Sequence, residues 1–237
     1  MTEQDDPFAP LPAMLRRRPA GRPLLGLRLL LVEDSRFAAE AVRLMCLKSG
    51  ARLRRADSIA TAKRHLSAYA PAVVIVDLGL PDGEGEDLIA ELNTIDGPGV
   101  LALSGDPDRE GTARAAGAHG FLHKPLGGVA EFQMAVSAAL PADLQQHGPR
   151  ALTCEYVVPD LLALKDDLAH AVELLDAATD TQTRDYLAHF LRGLATSAGD
   201  QKLAQAASQL IEPDRQGVRT QLRDILTKRV QETSRIA

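Results

Sequence analysis

Leu29-Leu30-Leu31-Val32-Glu33-Asp34 is an apolar run that stops abruptly at two acids. Consecutive aliphatic residues without polar alternation describe a strand buried on both faces, since a half-exposed strand places a polar residue at every second position. The pattern recurs along the chain. Ala72 to Val76 runs into Asp77, Val100 to Leu103 runs into Ser104, and Phe121-Leu122 leads to Lys124-Pro125, with Leu53 to Ala56 a weaker strand candidate. Between these runs, Phe37 to Lys48, Ile59 to Tyr69, Gly85 to Leu92, Arg109 to Ala116 and Val129 to Leu140 carry apolar residues at helical spacing. Five β-then-α units predict a five-stranded parallel, doubly wound sheet with helices on both faces. Parallel strands bring Glu33, Asp34, Asp77, Ser104 and Lys124 to one edge of it, the edge where such sheets bind ligands.

The chemistry of that edge follows from its charges. Carboxylates about 4 Å apart repel by roughly 1 to 4 kcal/mol per pair, depending on the local dielectric, so three in one small site call for a cation. Oxygen-only ligands favour Mg²⁺, which keeps several waters and accepts a phosphoryl oxygen. A carboxylate held there can attack phosphorus, while an ammonium and a hydroxyl hold the added phosphoryl oxygens.

The segments Leu-Val-Glu33-Asp34-Ser, Val-Asp77-Leu-Gly-Leu-Pro81, Ala-Leu-Ser104-Gly and Phe121-Leu-His-Lys124-Pro125 closely resemble the receiver domain of two-component response regulators. The resemblance covers 27–141 and implies the flavodoxin-like fold. It implies that Asp77 is the phosphoacceptor, that Glu33, Asp34, Asp77 and the Gly79 carbonyl hold Mg²⁺, and that Ser104 and Lys124 read the phosphate. It puts Phe121 at the switch aromatic with Ser104, and Lys124-Pro125 at a peptide that is usually cis. Glu84-Gly85 departs from the common Asp-Gly of the family, at a loop position expected to leave the chemistry untouched.

Strand patterns end after Pro141. The stretch 142–156 reads as a linker, and Leu161 to Leu175, Thr183 to Ser197, Lys202 to Leu210 and Val218 to Val230 read as four helices of an antiparallel bundle over 157–237. At about 100° per residue, Leu187, Phe190, Leu191 and Leu194 form one buried stripe, and His189 falls on the opposite face, toward solvent, with Arg192, Gly193 and Thr196. A glycine inside a helix costs up to about 1 kcal/mol relative to alanine; here it leaves clearance one turn from the imidazole for a docked protein and a phosphoryl group. Arg192 can offset arriving negative charge. The stretch Ala188-His189-Phe-Leu-Arg192-Gly193-Leu-Ala195, followed by Gly199 and Glu212, is similar to a histidine-containing phosphotransfer (HPt) domain. By that resemblance His189 is phosphorylated. Leu194 departs from the small residue often found there, a change of packing on the buried stripe.

Composition narrows the rest. With 237 residues, 45% of them apolar and 25% charged, the chain is of ordinary globular type. No apolar run approaches the roughly 18 residues that cross a bilayer, and the acidic opening is no signal peptide, so a cytoplasmic protein without membrane insertion is expected. Cys46 and Cys154 lack paired spacing and are expected to be inert thiols. The region 1–26, with Arg16-Arg17-Arg18 among prolines, reads as a flexible arm. The net charge of −5 gives no support for nucleic acid binding. No glycine-rich nucleotide loop occurs, so the chain is not an ATP-dependent kinase, and its expected partners are a sensor histidine kinase or other receiver-domain proteins. Two uses of the bundle stay open: phosphate transfer between Asp77 and His189, or exposure and occlusion of His189 controlled by Asp77. The rival readings are an interaction module that is never phosphorylated and a DNA-binding output, the latter resting on Arg215, Arg219 and Arg223 at a spacing of four.

Overall fold

The computed structural model describes residues 21–94, 97–145, 155–178, 180–211 and 216–236. Most of the expected arm with Arg16-Arg17-Arg18, most of the linker, Cys154, Glu212 and Arg215 lie outside the described residues. In chain order the strands are β1 (Arg28–Val32), β2 (Arg52–Ala56), β3 (Val73–Asp77), β4 (Gly79–Leu80), β5 (Gly83–Glu84), β6 (Gly99–Ser104) and β7 (Gly120–His123). The α-helices are α1 (Arg36–Ser49), α2 (Ile59–Leu66), α3 (Gly85–Leu92), α4 (Glu110–Ala115), α5 (Val129–Ala139), α6 (Leu161–Ala177), α7 (Thr181–Ala198), α8 (Gln201–Ser208) and α9 (Gln216–Ile236).

Five strands form a parallel sheet in the order β2-β1-β3-β6-β7, the flavodoxin-like arrangement. Its two faces divide the apolar runs by parity. Leu29, Leu31, Ile75, Leu101 and Leu103 meet Val42 and Met45 of α1 and Phe132 and Val136 of α5. Leu30, Val32, Val74, Val76, Val100 and Ala102 meet Ala62 of α2, Leu88 and Ile89 of α3 and Ala113 of α4. Each fully buried aliphatic side chain contributes about 1.5–3 kcal/mol, so the unbroken runs serve both layers at once. β2 is weak in sequence because it is an edge strand: Arg52, Arg54 and Arg55 are exposed, and Arg54 lies 4.4 Å over the Tyr69 ring. The short β4–β5 hairpin has no apolar signal of its own.

The helices after Pro159 start where a side chain can cap them. Asp160, Asp180 and Asp200 accept from the amides of Leu162, Thr183 and Leu203, and Gly199, at φ 70°, ends α7. α6 to α9 pack on one core of Leu168, Leu175, Leu187, Leu191, Leu203, Leu222 and Leu226, which Phe37 of α1 joins from the sheet domain. Among the described residues no helix is long and apolar enough to cross a membrane.

Candidate functional site

Tight strand-to-helix turns carry the site. Ser35 caps α1 by accepting from the Ala38 amide, which fixes the turn that directs Glu33 and Asp34 over the sheet edge; Arg55 secures the same turn by donating to the Glu33 and Asp34 carbonyls. Lys124 leaves the end of β7, and its peptide to Pro125 is cis. Its ammonium lies 2.7 Å from Glu33 Oε2 and 2.9 Å from Asp77 Oδ1. Ser104 Oγ, at the end of β6, accepts from the Asp106 amide. Phe121 is half-buried against the α3–α4 side of the sheet, its ring 4.7 Å from that of His123.

The electrostatics are those of crowded acids. Glu33 is fully buried and Asp77 nearly so. Burial, and then the repulsion of Asp77, hold Glu33 well above the ordinary glutamate range and push Asp34 up to about 6. Burial works against the Lys124 charge, but Asp77 and Glu33 outweigh it and hold Lys124 above the usual lysine value. Oxygens of Glu33, Asp34 and Asp77 lie within 4.8 Å of one another. Hard oxygen donors gathered in a buried, like-charged cluster fit a divalent cation of the Mg²⁺ kind. Gly79, whose carbonyl is the fourth expected ligand, lines the same cavity. Gly85, the first residue of α3, has no room for a side chain: a Cβ there would stand 2.2 Å from the Asp77 carbonyl oxygen.

One expectation is overturned. His189, Arg192, Gly193 and Thr196 do share a face away from the α6–α9 core, but that face does not look into solvent. It is laid on the strand ends of the sheet domain. Arg192 Nη2 donates to Asp106 Oδ2 at 2.8 Å. A Cβ at Gly105 would meet Thr196 at 3.2 Å, one at Gly79 would stand 3.3 Å from His189 Cβ and 3.9 Å from Asp77 Oδ2, and one at Gly193 would be 3.5 Å from Lys124 Nζ. The clearance at Gly193 thus receives the chain's own lysine. His189 is half-buried, and burial, then Arg192 and Arg109, lower its pKa and favour the neutral imidazole. A helical wheel separates core from non-core; it does not say what covers the non-core face.

Asp77, Asp34, Glu33, Lys124, Ser104, Gly79, His189, Arg192 and Gly193 therefore line one cavity of about 20 Å³, room for one water- or ion-sized occupant; Phe121 stands apart from it. Three participants carry no local motif. Tyr186, one turn before His189, donates from Oη to Asp34 Oδ2 at 2.6 Å, and its own pKa is raised by burial and then by Asp34. Arg109 donates to the Leu78 carbonyl and to Glu84 and Glu86, holding the loop behind Asp77. Asp167, which follows Lys165 and Asp166 in α6, is buried against the start of α1.

Residues 29–136 match the family model of the response regulator receiver domain. The KDP operon transcriptional regulatory protein KdpE of Escherichia coli K12 is 31% identical over 113 residues, 47% of this chain and 50% of that protein. The transcriptional regulatory protein KdpE of Mycobacterium tuberculosis H37Rv is 33% identical over 113 residues, with the same coverage. The chain spans about half the length of these curated relatives. Among solved structures, a putative response regulator from Chloroflexus aurantiacus is 28% identical with a TM-score of 0.45, over 48% of this chain and 96% of that one. A CheY-like receiver domain from Methylobacillus flagellatus is 24% identical with a TM-score of 0.44, over 48% and 98%.

Proposed function

Starting from a response regulator receiver domain at residues 29–136, we propose that the chain is a two-component phosphorelay protein in which Asp77 takes a phosphoryl group and His189, on an HPt-like antiparallel bundle at 157–237, is its partner nucleophile. The observation that carries this reading is that Asp77 and His189 line the same small cavity, with Gly79 between them. Glu33, Asp34, Asp77 and the Gly79 carbonyl would hold Mg²⁺, which when bound supplies charge neutralisation for the phosphoryl oxygens. This chain's own residues do the remainder. An Asp77 carboxylate oxygen forms a bond to phosphorus as the bond from phosphorus to a histidine nitrogen breaks; the electron pair stays on that nitrogen, and because the other ring nitrogen carries a proton the histidine leaves as a neutral imidazole. Lys124 and the Ser104 hydroxyl hold the transferred oxygens. Phe121, opposite Ala102 in the β6–β7 register, is the aromatic that reports the change at Ser104 to that surface. Phosphate enters from a sensor histidine kinase or another receiver protein.

The matched relatives are named transcriptional regulators, which favours a DNA-directed output as the second reading. Its sequence support is weakened by how the arginines of α9 are used. Arg219 donates to the Leu175, Asp176 and Ala178 carbonyls at the end of α6, and Arg223 pairs with Asp176 at 2.8 Å. They tie α9 to α6, the role cations commonly take at a helix C-terminus. The two readings separate on labelling with a kinase and labelled ATP of wild type, Asp77→Asn and His189→Gln, followed by acid and base treatment. The relay reading expects base-labile label on Asp77 and acid-labile label on His189; unchanged labelling and onward transfer in His189→Gln overturns the role given to the bundle.

A further inference from the structure

Among the described residues the helical region buries one carboxylate, and its own core does not use it. Asp167 of α6 is 3% exposed and reaches across to α1. Its Oδ2 accepts from Ser35 Oγ at 2.8 Å and from the Phe37 amide at 2.9 Å, and its Oδ1 accepts from the Arg36 amide at 3.0 Å. The first amides of a helix have no acceptor within it and carry partial positive charge, so α1 receives Asp167 as a helix N-terminus receives an anion. Three donors from one element thus converge on one buried acid from another, 130 residues or more away.

Position sets this contact apart from the others between the two regions. Arg36–Asp166 is solvent-exposed and contributes little. Tyr186–Asp34 and Arg192–Asp106 involve residues of the cavity wall itself, Asp34, Asp106 and Arg192. Asp167 lies outside the cavity wall. It is nonetheless connected to it: Ser35 also donates from its amide to Glu33 Oε1 at 3.0 Å, Glu33 pairs with Lys124, and Lys124 pairs with Asp77.

We infer that Asp167 is a positioning residue, the latch that seats the helical region on the receiver, sets His189 over Asp77 and withholds both from other proteins. Replacing Asp167 by asparagine keeps one acceptor oxygen but turns the other into an NH₂ donor facing the donors of α1, and a buried seam with such unmatched donors opens to water rather than stay dry. The consequence for phosphate rests on the role proposed for His189; the seating itself does not. In the closed form the cavity admits no second protein to Asp77 or His189, and exchange with one requires release of the seam.

The test uses the full chain and no phosphate. Histidines of wild type and Asp167→Asn are modified with diethyl pyrocarbonate, and the rate at each is read by peptide mass, with the exposed His123 and His170 as internal references. The latch predicts that His189 reacts about tenfold or more faster in Asp167→Asn while the references do not change, and that the Arg36 and Phe37 amides exchange hydrogen faster. Ser35→Ala, which removes one donor from the other side, moves His189 in the same direction by a smaller factor and stands in if Asp167→Asn does not fold. Equal His189 reactivity in wild type and the folded variants overturns the latch. Because nothing here requires phosphorylation, that outcome is distinct from a failure of the phosphorelay reading, which the His189→Gln labelling tests.

Discussion

The sheet edge and the outer face of α7 form opposite walls of one cavity, yet they are built in different ways. Glu33, Asp34, Asp77, Ser104 and Lys124 are each covalently next to or at a strand end, so pairing the strands places all of them. His189, Arg192 and Gly193 are placed only by docking, through Phe37 of α1 seated in the helical core and through Asp167, Tyr186 and Arg192, which contact the sheet domain far from them in sequence. A site assembled by strand pairing shares the stability of the sheet core, whereas a wall that is docked can be lifted by losing a few polar contacts.

The sharpest way to break the comparison is Asp77→Asn. It is expected to abolish base-labile labelling while leaving the fold intact, measured by phosphate incorporation beside a thermal melt. Removing divalent cations with a chelator is expected to give a nearly equal loss of Asp77 labelling, restored by Mg²⁺, without removing acid-labile label already on His189. Lys124→Ala tests the buried charges of the sheet wall: it strands Glu33 and Asp77 without their cation and is expected to cost about 3–5 kcal/mol of stability in denaturant unfolding, part of which Mg²⁺ recovers. Leu191→Ala, in the helical core, is expected to cost about 2–5 kcal/mol in denaturant unfolding of the helical region while the sheet domain melts as before. The smallest effect is that of Arg192→Ala. The partly exposed pair with Asp106 contributes about 1 kcal/mol or less, seen as a modest rise in His189 reactivity with no change in melting.

How legible each wall was follows from the same distinction. The runs Leu29–Val32 and Ala72–Val76 were readable because both faces of the sheet are covered, and the acids after them were readable because they adjoin those runs. β2 was faint because an arginine-rich edge strand has no inward alternation to detect. The α7 stripe of Leu187, Leu191 and Leu194 was readable from helical periodicity, and His189 was correctly kept off it. Solvent was the wrong partner for that face, because Arg192, Gly193 and Thr196 look the same in sequence whether they meet water or the polar rim of a strand edge. Asp167 and Tyr186 were missed: one acid in α6 and one tyrosine before His189 carry no spacing signal, and their partners Phe37 and Asp34 are 130 and 152 residues away.

The amino-acid sequence by itself determined the order of strands and helices, the parallel sheet and the acidic edge with its lysine, since each depends on local periodicity and on which residue follows a buried run. Only the tertiary structure decided that the histidine face lies over the acids of the same chain. That depends on contacts between elements more than a hundred residues apart, which local patterning does not encode.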